Sequence, residues 1–322
     1  PGRRPPLSGV NALYCRAQTR PHRPAPEEIQ MKSSSQWLAV VVAGVFLAAG
    51  AAIAQKQPKV PPEYEREGGP YVPTPNVVVD QMLKMANVSE KDYVIDLGSG
   101  DGVIVLTAGQ QMKASGYGVD IDEELIRKSN ERAKNLGIDG RVRFEARDIF
   151  KTDVSKATVV TLYLLPEFMQ RLRPKLFSEL RPGTRIVSHD YHFEQWQHDA
   201  DISFDVPEKE FISGVPRATL YLWIVPAKVA GGWNLKVEGN GDYDLTLKQH
   251  YQNVEGTVDG RGRKAGLTLL DPRVSGTDIS FVILHGNNRG RFTGRVNGDR
   301  MEGTAVFSDG KSMRWQAVRG KA

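Results

Sequence analysis

The sequence predicts an α/β protein with a doubly wound, mostly parallel sheet, an antiparallel last strand, and a small all-β domain after it, either a barrel or a sandwich. Three observations support this prediction. Apolar segments typical of strands alternate with helical segments from Asn76 to Val225, as in sheets covered by helices on both faces. The first strand runs into a glycine-rich turn at 98–102. After Pro226 the helical pattern ends, and short alternating segments separated by Asn-Gly and Asp-Gly pairs are typical of β-hairpins.

Apolar spacing and flanking residues predict the elements of the α/β part in order. The helices are predicted over Asn76–Ala86, Val103–Lys113, Glu123–Leu136 and Pro166–Leu180. The strands are predicted over Tyr93–Leu97, Tyr117–Ile121, Val142–Ala146, Thr158–Leu165, Arg185–Ser188 and Ala218–Val225.

The ends of these elements follow from residue chemistry. Gly137 closes the third helix, because glycine adopts the left-handed conformation of a helix C-terminus without strain. Pro166 opens the fourth helix, where its missing N–H costs no hydrogen bond. The last strand follows the hairpin-like Gly214-Val215-Pro216, which favours an antiparallel orientation.

In the all-β part, about eight strands are predicted in 231–322. They cover Trp233–Val237, Tyr243–Lys248, Val254–Val258, Gly266–Leu270, Ile279–Leu284, Arg289–Val296, Met301–Phe307 and Met313–Val318. A structural appendage or a binding module are both compatible with this pattern.

The N-terminal residues predict three further segments. Residues 1–30, rich in Pro and Arg, are predicted to be a disordered leader that precedes a plausible start at Met31. Residues 31–54 are predicted to be a signal peptide or an N-terminal membrane anchor, since 37–53 is an unbroken apolar run that ends in Ala52-Ile53-Ala54. That ending favours the signal peptide. Residues 55–70 are predicted to be a linker before the domain at 71–226. Export, to the periplasm or outside the cell, or membrane anchoring through 37–53 is therefore expected.

The turn at 98–102 carries the strongest functional information. Gly98, Gly100 and Gly102 remove the side chains that would keep a ligand away from the backbone, at the start of a helix with unpaired N–H groups. The spacing differs from the dinucleotide fingerprint G-x-G-x-x-G, and Asp101 within the turn would repel a pyrophosphate. The turn therefore predicts a nucleotide-like ligand other than a dinucleotide, and a tight turn without a ligand is the alternative.

Three acidic residues follow successive strands. Asp96 ends the first strand, Asp120 the second, and Asp148 comes just after the third. Ligands of open α/β sheets bind outside the carboxyl ends of the strands. Asp96, Asp120 and Asp148 are therefore candidate cofactor-binding residues: Asp120 for ribose hydroxyls and Asp148 for an adenine amino group.

This segment resembles class I S-adenosylmethionine-dependent methyltransferases. The pairing of Tyr71-Val72-Pro73-Thr74-Pro75 with the turn at 96–102 is similar to the membrane-anchored protein-lysine methyltransferases typified by the ATP synthase c-subunit lysine methyltransferase. The resemblance covers about 71–226. It implies S-adenosyl-L-methionine as cofactor, Tyr71 and Thr74 closing its pocket, Gly98 and Gly100 facing its methionine part, and a protein lysine as acceptor. Val103 stands where that family usually has Arg.

Two residues are candidates for the chemistry. Tyr163 lies at the carboxyl end of the fourth predicted strand, where its ring can face a cation and its hydroxyl can form a hydrogen bond. Asp190 follows the fifth strand beside His189, a pair suited to proton transfer. A core tyrosine and a polar turn are the alternatives.

Net charge and composition limit the classes of binding partner that the sequence predicts. The net charge of +5 falls mainly on residues 1–54, and only +1 remains for 55–322, so no nucleic-acid partner is predicted. No His/Cys cluster has zinc-ligand spacing, and no metal is predicted. A protein or small-molecule acceptor is expected, and the oligomeric state is left open. A small-molecule or lipid methyltransferase and an exported, non-catalytic binding protein of the same fold are the alternative functions.

Overall fold

The computed structural model describes Gly69 and residues 71–260, 263–285 and 288–320. The predicted leader (1–30), the signal peptide or anchor (31–54) with its apolar run 37–53, and all of the linker 55–70 except Gly69 lie outside the described residues. Within the described ranges, no helix has the length and apolar character needed to cross a bilayer.

The α/β part is built on a seven-stranded sheet with the order β3-β2-β1-β4-β5-β7-β6. Strands β1 to β5 are parallel, and β7 is antiparallel to both of its neighbours. The fold-class prediction, including its antiparallel strand, is confirmed. The strands are β1 (Tyr93–Leu97), β2 (Ser115–Asp120), β3 (Val142–Ala146), β4 (Val159–Leu162), β5 (Arg185–His189), β6 (Ala200–Asp205) and β7 (Arg217–Ile224).

Helices cover both faces of this sheet because side chains of each central strand alternate between two apolar cores. Val94 of β1 packs in the core that holds the first two helices, whereas its neighbour Ile95 packs in the core that holds the fourth helix. Both side chains are buried, as expected of parallel strands. The helices are α1 (Asn76–Met85), α2 (Val103–Gln111), α3 (Glu123–Asn135), α4 (Pro166–Glu179) and the short α5 (Lys209–Ser213), with a 3-10 turn at Ile149–Lys151.

Three elements differ from the sequence prediction. The strand predicted over Thr158–Leu165 is limited to Val159–Leu162, and the chain leaves the sheet there. Strand β6 was not predicted, because its residues are largely exposed on both sides at the edge of the sheet and show no buried face. Helix α5 was also missed, since its five residues are too short for helical periodicity to be detected.

The C-terminal part is a closed antiparallel barrel, so of the two architectures predicted from the sequence, the barrel is found and the sandwich is not. Strand β9 pairs with both β8 and β10, β10 pairs with β12, and β16 pairs back to β8, so the described strands form a closed ring. Its strands are β8 (Gly231–Val237), β9 (Gly241–His250), β10 (Asn253–Gly260), β11 (Arg263–Thr268), β12 (Leu270–Ser275), β13 (Asp278–His285), β14 (Asn288–Asn297), β15 (Arg300–Phe307) and β16 (Ser312–Arg319).

Strand β12 is the one barrel strand that was not predicted. It contains Pro272, which argues against a regular strand, and Asp271 has a positive φ of 47°. Only Leu269 separates β11 from β12, and both pair with β10. The two therefore act as one interrupted strand in an eight-position barrel.

The barrel packs at the amino ends of the parallel strands. Ala227 donates its N–H to the carbonyl of Gly276 at 2.7 Å, and a Cβ at Gly276 would lie 3.3 Å from the Cα of Gly183, just before β5. Tyr251, in the β9–β10 turn, stacks on Trp196 with ring centroids 5.1 Å apart. Because ligands bind at the carboxyl ends of such strands, the barrel lies at the opposite end of the sheet from the expected cofactor site.

Candidate active site

A cleft lies at the carboxyl ends of β1 and β4, next to the glycine-rich turn. Six of the predicted site residues line it: Tyr71, Thr74, Asp96, Gly98, Gly100 and Tyr163. Asp120, Asp148 and Asp190 are not part of its wall. The early departure of the chain from β4 at Leu162 places Tyr163, Leu164 and Leu165 in the cleft wall instead of in the sheet.

The glycine-rich turn adopts a conformation that only glycine reaches readily. Gly98, Gly100 and Gly102 have φ angles of 84°, 51° and 78°. The N–H groups of Gly98 and Ser99 both donate to the carbonyl of Val119 at 2.8 Å, which ties the turn to β2. The turn is therefore a rigid, side-chain-poor wall for the cleft.

Two side chains rest directly on this wall. A Cβ at Gly100 would lie 2.5 Å from Cε2 of Tyr71, and a Cβ at Gly98 would lie 2.7 Å from Cδ2 of Leu164. The cleft has a volume of about 70 Å³ in this arrangement, below the ~300–1,000 Å³ of typical ligand pockets. Both contacts are made by the ends of rotatable side chains, so a cofactor-sized ligand requires Tyr71 and Leu164 to swing aside.

Asp96 is the buried acid of the cleft. It is 2% exposed, and its Oδ1 accepts a hydrogen bond from the Thr161 hydroxyl at 2.7 Å. Burial, followed by the charges of Asp120 and Asp101, raises the pKa of Asp96 to about 7, although the Thr161 bond opposes this rise. The negative charge at this point of the cleft is therefore easily lost to protonation, and a cation placed nearby would retain it.

Asp120 braces the glycine-rich turn from behind. Its Oδ2 accepts the N–H of Gly100 at 2.9 Å, and its Oδ1 accepts the N–H of Asp122 at 3.1 Å. Only 2% of Asp120 is exposed. The carboxylate predicted for the ribose hydroxyls thus also fixes the loop that would face the methionine part of the cofactor.

Asp148 stands apart, at the carboxyl end of β3. It caps the 3-10 turn by accepting the N–H of Phe150 at 2.8 Å. Its side chain is 40% exposed, and Ile121, an apolar residue directly after β2, is 45% exposed. These side chains leave a polar group and an apolar surface accessible beyond the ends of β2 and β3.

Tyr163 and Asp190 belong to one polar cluster around the buried side chains of His189 and Lys209. The Tyr163 ring packs on His189 with centroids 4.0 Å apart. Asp190, with a positive φ of 62°, accepts the N–H of Thr219 at 3.0 Å and pairs with Lys209 Nζ at 2.5 Å. Lys209 is 1% exposed, and its Nζ also lies 3.2 Å from His189 Nε2.

The protonation states in this cluster follow from burial. Desolvation lowers the pKa of His189 to about 4, so the imidazole is neutral near pH 7. Desolvation and the charge of Asp190 raise the pKa of the Tyr163 phenol. A neutral phenol and a neutral imidazole therefore face each other, while the Asp190 charge is balanced by Lys209.

Sequence reasoning missed two polar residues of this region. Ser99 is 6% exposed, lines the cleft, and its hydroxyl has no hydrogen-bond partner among the described residues. Its place between two motif glycines was a signal that could have identified it. Lys209 gave no such signal, because Glu208-Lys209-Glu210 has the pattern of a solvated surface turn.

The sequence profile of the ANTKMT methyltransferase domain matches residues 96–200. A protein-lysine N-methyltransferase of Saccharolobus islandicus is 40% identical over 157 residues, which are 48% of this chain and 93% of that protein. The human ATP synthase c-subunit lysine N-methyltransferase is 30% identical over 194 residues, 59% of this chain and 81% of the human protein.

Among solved structures, an RNA methyltransferase from Salinibacter ruber in complex with S-adenosyl-L-homocysteine is 44% identical. The match has a TM-score of 0.45 and covers 49% of this chain and 96% of that one.

Proposed function

The chain belongs to the family of protein-lysine N-methyltransferases, and from that membership we propose that its methyl acceptor is the side-chain amine of a lysine in a protein. Its activity is methyl transfer that depends on S-adenosylmethionine. The observation that carries the choice of acceptor is the 40% identity to the Saccharolobus islandicus protein-lysine N-methyltransferase across 93% of that protein.

The residues of the cleft fit the cofactor. S-adenosylmethionine, when bound, supplies a methyl group activated by a positively charged sulfur. Among the described residues of the cleft wall, the charged side chains are Asp96 and Asp101, both acidic, which suits a cation. The unpaired Ser99 hydroxyl is a buried polar group that a ligand can satisfy.

The proposed cofactor contacts follow the predicted residues. Gly98 and Gly100 face the methionine part, and Asp96 supplies negative charge near it. Asp120 accepts ribose hydroxyls while it holds the N–H of Gly100, and Asp148 accepts the adenine amino group. Tyr71 and Thr74 line the cleft beside the turn and close it once the Tyr71 ring has moved off Gly100 to admit the cofactor.

The acceptor lysine would enter past Tyr163. A lysine ammonium must lose a proton before its nitrogen can attack a methyl group, and the apolar side chains of Leu164, Leu165 and Phe168 lower its pKa by desolvation. The neutral Tyr163 phenol orients the amine by a hydrogen bond, and its ring attracts the approaching cation. Asp190 is proposed to act behind this ring, by holding Lys209 and thereby His189.

Some narrower predictions remain proposals. Association with a membrane through residues 37–53, and export or anchoring, concern residues outside the described part of the chain. The lysine acceptor is tested against two alternatives. In the first, the methyl acceptor is a small molecule or a lipid. In the second, the protein binds a ligand without catalysing methyl transfer.

The test is transfer of a labelled methyl group. The purified protein is incubated with S-adenosylmethionine tritiated on its methyl group and a cell extract, and the label is separated into protein, lipid, RNA and small molecules. Acid hydrolysis of the protein fraction should release labelled methyl-lysine. Label in another fraction would contradict the lysine acceptor, and absence of all transfer would favour the binding protein.

Two variants make this test specific for the cleft. Tyr163→Ala should reduce the rate of transfer at least tenfold, because it removes both the ring and the hydroxyl from the acceptor path. Val318→Ala, at a side chain of the barrel that is 46% exposed, lies outside both the cleft and the barrel cavity and serves as the control with an unchanged rate.

A further inference from the structure

The barrel has two ends of different character. Its end near the parallel sheet carries the turns with Tyr251 and Gly276, which contact the α/β part. Toward that end and the middle, the interior is filled by large buried side chains, among them Trp233, Phe281 and Trp315. The far end holds the β8–β9 turn at Asn240, the end of β10, the start of β14 and the end of β15.

A cavity of about 320 Å³ opens at the far end of the barrel. An eight-stranded barrel is just wide enough to be filled by side chains or to hold one small ligand. In this barrel, large side chains fill the end near the parallel sheet, and the far end leaves room for one small ligand. The space lies within the size range of small-molecule sites, ~300–1,000 Å³.

The described residues that line this cavity are mainly apolar, and none of them is charged. Its wall is formed by Val258, Leu267, Ile283, Phe292 and Phe307, together with Tyr243. Asn240 and Asn288 stand exposed at the mouth and contribute the amide groups. Among the lining residues that the structure describes there is no Asp, Glu, Lys or Arg, so this part of the wall would leave a charged group without a partner and favours an uncharged occupant.

The packing of the cavity wall keeps the space open. Phe292 and Phe307 meet edge to face with centroids 6.1 Å apart. Between them the buried Gly290 has no side chain, and a Cβ there would lie 2.9 Å from Phe307 and 3.1 Å from Phe292. Protein interiors are normally packed without spaces of this size, and an apolar space of this kind holds water poorly.

We propose that the far end of the barrel binds one uncharged, mainly apolar small molecule: a chain or ring system inside the barrel with a hydroxyl or amide head at Asn240 and Asn288. This site is separate from the methyltransferase cleft, which lies at the opposite end of the parallel sheet. The barrel is then a ligand-binding module and not only a structural appendage.

The full chain is titrated with N-phenyl-1-naphthylamine, an uncharged apolar fluorophore. Saturable binding at one site per chain is expected, with an emission shift to shorter wavelength. Uncharged decanol should displace the probe at least tenfold more effectively than decanoate, which carries a charge at pH 8.

Filling the cavity provides the decisive variant. Leu267→Trp places a larger ring in the cavity and should weaken probe binding at least tenfold. Val306→Trp is the matched control, since Val306 is 50% exposed on the outer face of β15, and its affinity should be unchanged. Near-ultraviolet circular dichroism establishes that each variant is folded. If Leu267→Trp does not fold, Leu267→Phe is used and should weaken binding at least threefold.

Three results would overturn the proposal: the absence of saturable binding to the natural chain, equal affinities of the filled and control variants, and displacement of the probe by S-adenosylhomocysteine. The last result would place the probe in the methyltransferase cleft.

Discussion

Replacing Asp96 by Asn tests the electrostatics of the cleft through protein stability. Asp96 is buried, and its folded-state pKa is about 7 compared with an ordinary value of 3.8. Below pH 3.8 the carboxyl is protonated in both the folded and the unfolded state. As the pH rises through 7, the folded protein must hold a buried charge, so stability present at low pH is lost.

The size of this loss follows from the two pKa values. The gap between 3.8 and about 7 corresponds to about 4 kcal/mol of unfolding free energy over the whole window, of which about 3 kcal/mol falls between pH 5 and pH 8. Asn carries no charge at either pH, and its Oδ1 can still accept the Thr161 hydroxyl. When the pH changes from 5 to 8, the free energy of unfolding of Asp96→Asn should therefore rise by about 3 kcal/mol relative to that of the natural protein.

The assay is urea unfolding of both proteins at pH 5 and pH 8. Asp139→Asn, which removes an exposed carboxylate by the same substitution, serves as the control. If the difference between Asp96→Asn and the natural protein is the same at both pH values, Asp96 does not have the raised pKa that its burial predicts.

Two further substitutions test the turn and the buried cluster. In urea unfolding, Gly100→Ala should lose roughly 1–2 kcal/mol more stability than Gly137→Ala, and it should also bind S-adenosylmethionine more weakly. Both glycines have positive φ, but a Cβ at Gly100 would clash with Tyr71, whereas one at Gly137 meets nothing within 4 Å. Equal losses of stability would mean that the turn accommodates the added Cβ without strain. Lys209→Met should lower the free energy of unfolding by about 3–5 kcal/mol in thermal or urea unfolding, because Asp190 loses its ion-pair partner. The control Lys128→Met, at a side chain that is 55% exposed, should lower it by less than about 1 kcal/mol. A similarly small loss for Lys209→Met would show that the ion pair contributes little to stability.

The parallel sheet and most of the cleft wall could be predicted because the relevant patterns are local. The apolar strand, the glycine spacing and the acid after each strand are all readable within a few residues, and strand order then brings these segments to one edge. Tyr71 could be placed only through resemblance, since its contact with Gly100 joins distant parts of the chain.

The features that were missed depend on tertiary contacts. Strand β6 exists because it pairs with β7 at the sheet edge, although it has no buried face of its own. Lys209 is buried because β5 and β7 place Asp190 and the carbonyl of Arg217 around its Nζ, at 2.5 and 2.8 Å. A local charge pattern favours exposure for such a lysine, and only the fold supplies its partners.

Calorimetric titration with S-adenosylmethionine tests most directly whether the cofactor binds against the glycine-rich turn and the Asp120 carboxylate. The natural protein should bind one molecule per chain, Asp120→Asn should bind at least tenfold more weakly, and the exposed Asp139→Asn should bind like the natural protein. Absence of binding to the natural protein, or equal affinity of all three proteins, would contradict the assignment of the cleft.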